Sequence, residues 1–183
     1  MSNAVIYHAW PYRAWIGLGG NIDDPVASMA KALKLLEARA DTKVVAVSNV
    51  YRTPPWGKTD QAWFHNACAE IETALEPLKL IETCLDVERS LKRVRLERWG
   101  PRIIDIDILA MEKSGEAVIM NEPALELPHP RIQERAFVLV PLNDIAPTLK
   151  IAGKSVSEWE LACACSEIEK ARTDAGWWLE YID

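Results

Sequence analysis

Two aspartates, Asp105 and Asp107, alternate along a short apolar segment of the chain. The surrounding residues from Ile103 to Leu109 are otherwise apolar and rich in isoleucine, which predicts a β-strand. Because side chains alternate across a strand, both carboxylates should lie on one face, roughly 7 Å apart along the chain. Hard oxygen donors without a neighbouring Cys or His favour Mg²⁺ over zinc, and this spacing suits two ions about 4 Å apart. The pattern therefore predicts a two-magnesium site.

The residues just before these aspartates are cationic and aromatic. The string Arg98-Trp99-Gly100-Pro101-Arg102 leads directly into the strand and belongs to a cationic patch between residues 89 and 102. On a chain with a net charge of −6, such a local patch favours a compact polyanion, such as a nucleotide phosphate chain, over nucleic acid. The simpler alternative is a solvent-facing strand with two chance aspartates. It fits poorly, because adjacent like charges repel unless a cation neutralises them.

The bulk composition is that of a globular protein, since 49% of the 183 residues are hydrophobic and 26% are charged. No apolar run reaches the ~20 residues that span a bilayer, and no basic-then-apolar leader opens the sequence. We therefore expect a cytoplasmic protein with no membrane partner. The four cysteines lack metal-binding spacing and are expected to be reduced thiols. The oligomeric state is not indicated by any pattern in the sequence.

The elements that must position the aspartates follow from hydrophobic periodicity and turn residues. Strands are predicted at 12–18, 44–51, 66–74 and 103–111, with a short strand at 118–120. Helices are predicted at 25–39, at 77–91 and at 156–171, the first capped by Asp23 or Asp24. The order β-α-β-β-α-β predicts an α+β, ferredoxin-like core, in which helices pack on a mostly antiparallel sheet.

The whole chain, 1–183, is expected to form a single domain. Residues 12–149 would be its core, and residues 1–11 a tag remnant or an extension. Residues 150–183 would form a C-terminal helical extension.

Several motifs, in this order along the chain, resemble those of the 6-hydroxymethyl-7,8-dihydropterin pyrophosphokinase family of folate biosynthesis. They include strand-Gly-Gly-Asn, Tyr51-Arg52-Thr53-Pro54-Pro55, Phe64-His65-Asn66, the segment from Arg98 to Leu109, and Pro128-His129-Pro130-Arg131. The similarity runs from about Tyr12 to Leu149. It implies transfer of pyrophosphate from ATP, as co-substrate, to the hydroxymethyl group of the pterin, with release of AMP.

The resemblance also implies roles for individual residues. Asp105 and Asp107 would hold two Mg²⁺ ions, and together with Arg93 and Arg102 they would be the catalytic residues. The implied ATP-binding residues are Arg93, Trp99, Arg102, Ile108, His129 and Arg135. The implied pterin-binding residues are Thr53, Pro54, Trp56, Phe64, Asn66 and Phe137.

These residue types suit the chemistry. Phosphoryl-type transfer depends mainly on positioning and charge neutralisation, and planar guanidinium groups match phosphate oxygens. Aromatic faces and an amide that both donates and accepts suit a flat ring with a polar rim.

Two other functions stay open at this point. A Mg²⁺-dependent nucleotidyltransferase also combines a Gly-rich turn with an Asp-x-Asp strand. In that class the two elements are close in sequence, whereas Gly19-Gly20 and Asp105 are far apart here. A catalytically silent pterin- or nucleotide-binding module is the second alternative, although both aspartates are present.

Overall fold

The computed structural model describes residues 10–55, 60–91, 101–163 and 167–181. The strands are β1 (Tyr12–Gly20), β2 (Thr42–Val47), β3 (Val50–Thr53), β4 (Phe64–Thr73), β5 (Asp105–Lys113), β6 (Glu116–Ala117), β7 (Met120–Glu122), β8 (Leu125–Leu127), β9 (Lys150–Ile151), β10 (Lys154–Ser155) and β11 (Glu169–Arg172). The helices are α1 (Pro25–Glu37), α2 (Pro77–Ser90), α3 (Ala136–Ile145) and α4 (Val156–Ala162), with a short 3-10 helix at Ile132–Glu134. No helix within the described ranges has both the length and the apolar character needed to cross a bilayer.

Strand β1 lies between β4 and β5 and pairs with both in antiparallel orientation. Strand β4 also pairs with β2 and β3, and β6 extends the sheet beyond β5. The element order β1-α1-β2/β3-β4-α2-β5 confirms the α+β, ferredoxin-like core predicted from the sequence. The register of β1 brings two predicted site residues to the same level of the sheet, because Gly19 lies opposite both Asn66 of β4 and Asp105 of β5.

Helices α1 and α2 pack on one face of the sheet. Helix α1 begins as predicted, with Pro25 in its first turn and the Asp24 side chain accepting a hydrogen bond from the backbone N–H of Ala27 at 3.0 Å. Its apolar face, with Met29, Leu33 and Leu36 all 0% exposed, packs into the main core. Apolar residues recur every three to four positions in this segment, so they share one helix face, and that face is buried against the sheet.

Helix α3 covers the opposite face of the sheet and forms a second, smaller core. Its residues Val138, Leu139 and Leu142 pack with Cys68 of β4 and Leu109 of β5. Arg135 and Phe137, at the start of α3, line a cavity together with residues of the sheet. Two-sided coverage explains why β4 and β5 contain few positions that face solvent.

The structure differs from the predicted elements at the second strand and at the C-terminus. The strand predicted at 44–51 is divided into β2 and β3, because the Ser48 hydroxyl accepts the hydrogen bond of the Cys68 backbone N–H at 2.8 Å. The helix predicted at 156–171 ends at Ala162, and residues 169–172 form β11, which pairs with β3 at the edge of the sheet. The C-terminal extension therefore contains a strand as well as a helix.

Candidate active site

A cavity of about 140 Å³ opens between the sheet and the start of α3. It contains most of the residues that the sequence singled out: Thr53, Pro54, Phe64, Asn66, Arg102, Asp105, Asp107, Arg135 and Phe137. They come from β3, β4, β5, α3 and the segment before β5, so the fold brings together residues that are far apart in sequence. A second cavity of about 500 Å³ near the far end of α3 contains none of the predicted site residues.

Two arginines connect the acidic and aromatic parts of this cavity. Arg102 forms an ion pair with Asp105, and its guanidinium carbon lies 5.8 Å from the centre of the Phe64 ring. Arg135 repeats the arrangement, with Nη1 at 3.6 Å from the Asp107 carboxylate and its guanidinium carbon at 5.8 Å from the Phe137 ring centre. Both ring distances lie within cation–π range. Each guanidinium thus lies between a carboxylate and an aromatic face.

The lining of the cavity also includes a buried amide beside a glycine. Asn66 is 7% exposed, and its Nδ2 donates a hydrogen bond to Thr53 Oγ1 at 2.9 Å. A Cβ atom placed on Gly19 would lie 3.1 Å from Asn66 Oδ1, so a side chain there would crowd the amide. The glycine therefore leaves space at the cavity surface beside Asn66, where the rim of a flat ligand could approach closely.

His129 lies beside Arg135 and is half-buried. Its Nδ1 accepts a hydrogen bond from the backbone N–H of Arg131 at 3.2 Å, and its Nε2 lies 3.5 Å from Arg135 Nη1. Burial, reinforced by the charge of Arg135, lowers the pKa of His129 from 6.5 to about 4. The imidazole is therefore neutral at pH 7, so that it adds no positive charge beside Arg135 before a ligand binds.

This pKa predicts a loss of stability in acid. Between pH 6.5 and about 4 the unfolded chain binds a proton at His129 that the folded chain does not, so the free energy of unfolding should fall as the pH falls. Asn at this position can still accept the Arg131 hydrogen bond but cannot titrate. We expect His129→Asn to lose less stability than the wild type between pH 7 and pH 4.5, measured by urea unfolding. Equal losses in the two proteins would contradict a neutral, buried His129.

Some predicted residues lie elsewhere. Ile108 is 2% exposed and belongs to the main core, on the opposite face of β5 from Asp105 and Asp107. The contact with adenine that the resemblance implies for Ile108 stays a prediction. Three further predicted residues, Trp56, Arg93 and Trp99, lie outside the described residues.

The carboxylates and the implied magnesium are compatible. Within the described ranges, no group of three or more His, Cys, Asp or Glu side chains is arranged to hold a metal by itself. Magnesium in nucleotide enzymes is commonly held by one or two carboxylates, with phosphate oxygens and water completing its coordination. Asp105 and Asp107 offer that partial set of hard oxygen donors at the cavity surface, between two guanidinium groups.

A buried carboxylate, not predicted as a site residue, is hydrogen-bonded to the backbone of β5 between the two aspartates. Glu88 of α2 is 2% exposed, and its Oε1 accepts a hydrogen bond from the backbone N–H of Ile106 at 2.7 Å. Ile106 lies between Asp105 and Asp107, so this bond fixes the backbone that carries both carboxylates. The signal in the sequence is a glutamate on the apolar face of a predicted helix, where an acidic side chain needs a specific partner.

Gly20 belongs to the Gly-Gly-Asn motif, and the structure shows why a side chain would not fit at this position. A Cβ atom at this position would lie 2.4 Å from the carbonyl oxygen of Ile103, and backbone cannot move aside as a flexible side chain can. We expect Gly20→Ala to displace the segment that carries Arg102, lowering kcat at least about tenfold and destabilising the fold by about 1–3 kcal/mol, as overpacking does. Steady-state kinetics and urea unfolding would measure both effects. An alanine variant with wild-type kinetics would show that the segment accommodates the added methyl group.

The chain matches the family model for 7,8-dihydro-6-hydroxymethylpterin-pyrophosphokinase over residues 15–147. Curated relatives agree with this match along nearly their whole length. The 2-amino-4-hydroxy-6-hydroxymethyldihydropteridine pyrophosphokinase of Methylorubrum extorquens is 53% identical over 146 residues, which cover 80% of this chain and 90% of the relative. The chain belongs to the 7,8-dihydro-6-hydroxymethylpterin pyrophosphokinase family. It is therefore an ATP-dependent pyrophosphokinase of folate biosynthesis whose acceptor is a hydroxymethyldihydropterin.

More distant comparisons are consistent with the family. The enzyme of the same name from Pseudomonas aeruginosa is 40% identical over 159 residues, which cover 86% of this chain and 96% of that enzyme. Among solved structures, wild-type Plasmodium falciparum HPPK-DHPS with pteroate has a TM-score of 0.66 at 17% identity, over 82% of this chain. This chain spans 44% of that longer protein, and at this identity the likeness supports the fold alone.

Proposed function

We propose that the pyrophosphokinase reaction takes place in the cavity between β1, β4, β5 and the start of α3. The observation that carries this proposal is the arrangement of the two arginines, each of which lies between a carboxylate and a phenylalanine ring. A pterin against the rings and a triphosphate against the guanidinium groups would meet where the two regions join. The hydroxymethyl group and the β-phosphorus of ATP would then be close together.

The pterin would bind at the end of the cavity formed by β3, β4 and α3. Phe64 and Phe137 offer aromatic surfaces for the ring faces, and Asn66 offers its buried amide to the ring edge. Thr53 fixes the orientation of that amide through the 2.9 Å hydrogen bond from Asn66 Nδ2. Pro54 closes the same end of the cavity, directly after β3. A ring with donors and acceptors along its edge is thus matched by groups held in fixed orientation.

The triphosphate would bind along Arg102, Arg135 and His129. Among the described residues, Arg135 Nε is a buried donor with no hydrogen-bond acceptor, and the side chain lines the cavity. A buried donor without an acceptor costs free energy, and a phosphate oxygen would satisfy it. Neutral His129, adjacent to Arg135, can donate a further hydrogen bond. Arg93 would add to this clamp, as the family resemblance implies.

In the transfer, the pterin hydroxyl oxygen forms a bond to the β-phosphorus and gives up its proton to water. The bond from the β-phosphorus to the oxygen bridging the α-phosphate breaks, its electron pair stays on that oxygen, and AMP leaves. Arg102 and Arg135 would hold the phosphates in line with the hydroxymethyl group and balance the charge that develops on them. Bound magnesium would neutralise phosphate charge at the same place. Asp105 and Asp107 would hold two such ions, and the ion pairs with the arginines would give way as phosphate enters.

A single incubation tests the reaction itself. The purified chain with ATP, Mg²⁺ and 6-hydroxymethyl-7,8-dihydropterin should yield AMP and the pterin diphosphate in equal amounts, read by ³¹P NMR or by chromatography. Release of pyrophosphate with an adenylylated acceptor would instead indicate a nucleotidyltransferase. Binding of both substrates without product, measured by calorimetry, would indicate a silent module.

We also propose that residues 150–183 belong to the same domain as the core. Trp177 is 0% exposed and packs in the main core, and β11 pairs with β3, which carries Thr53. We further propose that the reaction takes place in the cytoplasm, where ATP is available. The number of magnesium ions can be measured by Mn²⁺ titration with α,β-methylene-ATP, for which we expect two ions per chain.

A further inference from the structure

Asn21 follows the last residue of β1 and is buried, with 8% of its surface exposed. It does not line the cavity, yet its polar groups bond to two separate segments, each of which leads to residues that do. Its backbone N–H donates to the Arg102 carbonyl at 2.9 Å, and its Oδ1 accepts from the Arg102 backbone N–H at 2.9 Å. Its Nδ2 donates to the Ala62 carbonyl at 2.9 Å and to Gln61 Oε1 at 3.1 Å.

The two segments carry different parts of the site. Ala62 lies two residues before Phe64, the aromatic residue at the start of β4. Arg102 lies three residues before Asp105, and its guanidinium forms the ion pair with that carboxylate. One planar amide therefore connects the backbone that leads to the pterin surface with the backbone that leads to the phosphate and metal residues. The amide uses its acceptor for one segment and its donors for the other, which few other side chains can do.

We propose that Asn21 is a positioning residue that makes the binding of pterin and of ATP mutually dependent. This inference rests on the proposed location of the two substrates. When a phosphate group of ATP binds the Arg102 guanidinium, the Arg102 backbone stays hydrogen-bonded to Asn21. Asn21 in turn holds the segment at Ala62 in the position that the pterin needs. The same bonds act in the reverse direction, because coupling between two binding sites is reciprocal. Buried hydrogen-bond networks of this kind fix a single geometry only when every member is bonded.

The test measures the affinity for 6-hydroxymethylpterin by calorimetry, with and without saturating α,β-methylene-ATP and Mg²⁺. In the wild type we expect the nucleotide analogue to tighten pterin binding by a factor within the range of about 5–150 that is usual for coupled sites. In Asn21→Ala, both side-chain connections are lost, and the factor should fall below about 3, while the affinity for the pterin alone changes less. Because only binding is measured, this result is distinguishable from a failure of the transfer reaction.

Asn21→Asp separates the two connections. The carboxylate can still accept from the Arg102 N–H, but it cannot donate to Ala62 or Gln61, so the coupling should be lost while the fold is retained. Asn49→Ala is the matched control, because the Asn49 side chain also makes a hydrogen bond, to Asp144 at 2.8 Å, away from the cavity. It should lower the melting temperature without changing the coupling factor.

Four outcomes would overturn the proposal. Folded Asn21 variants with the wild-type coupling factor would do so, as would a wild type without coupling. An equal loss of pterin affinity with and without nucleotide would indicate a purely local role. Failure of both Asn21 variants to fold would show that the residue is needed only for folding.

Discussion

Replacing Asp105 or Asp107 by Asn should lower kcat by about 100-fold or more at saturating Mg²⁺, the usual scale for losing preorganised charge stabilisation in a transition state. Asparagine keeps the size of the side chain and its place on β5, so the fold should be retained. It removes the negative charge that would hold a cation against the phosphates. The loss should therefore appear in turnover, measured by AMP release under saturating ATP.

The same variants should bind metal-free ATP at least as well as the wild type. The reason lies in the ion pairs, because Arg102 contacts Asp105 and Arg135 lies 3.6 Å from Asp107. Loss of either carboxylate leaves a guanidinium group without its partner and more available to phosphate. Calorimetry in the presence of EDTA would measure this. A variant that lost both turnover and metal-free ATP affinity would point to a collapsed site and not to a missing metal ligand.

Asp41→Asn is the matched control for these variants. The Asp41 carboxylate also pairs with an arginine, with Arg39 Nη2 at 2.8 Å, but the pair is remote from the cavity and largely exposed. Its kcat should match the wild type. Near-normal turnover in Asp105→Asn or Asp107→Asn, with this control also normal, would exclude the two-metal arrangement.

The aspartate face of β5 could be predicted from the sequence because strand alternation is a local rule. The same rule placed Ile108 on the opposite face, and the structure confirms that placement, with Ile108 2% exposed in the core. Alternation assigns the side chain to a face but says nothing of which ligand its backbone groups meet, so the adenine contact implied by the resemblance stays a prediction.

The contacts of Arg102 and Arg135 with the phenylalanine rings could not be predicted from strand alternation. Phe64 and Arg102 are brought together only by the antiparallel register of β4, β1 and β5, which depends on pairing across the whole sheet. The hydrogen bonds of Asn21 to Ala62 and Arg102 depend on the same register and on two loop paths. Such contacts have no periodic signal, so the sequence indicated the turn at Asn21 but not its bonding partners.

The conformation of the C-terminal segment could be predicted from the sequence only in part, for a different reason. The sequence from 156 to 171 has helical character at its start, and the Ser155–Glu158 capping box supports that start in the structure. Residues 169–172 are exposed and polar, without either helical or strand periodicity. Their conformation is decided by a free edge on β3, which is provided by residues more than 100 positions earlier in the chain.

Trp177→Ala should destabilise the fold by about 3–5 kcal/mol, the usual cost of removing a large buried aromatic side chain. Trp177 is 0% exposed in the main core, and its indole N–H donates a hydrogen bond to the Ser48 carbonyl at 2.9 Å. Urea unfolding would measure the change. Leu179→Ala, two residues away and 62% exposed, is the matched control and should change the free energy of unfolding by less than about 0.5 kcal/mol.

Trp177→Phe separates packing from hydrogen bonding. Phenylalanine retains most of the buried surface but leaves the Ser48 carbonyl without its donor, at an expected cost of about 1–3 kcal/mol. Ser48 lies at the break between β2 and β3, and β3 ends at Thr53, the partner of Asn66. If loss of this hydrogen bond makes β3 less rigid, the proposed pterin site should be affected more than the proposed ATP site. The KM for the pterin should therefore rise more than the KM for ATP. Equal changes in the two KM values would show that Trp177 stabilises the whole fold and not β3 in particular.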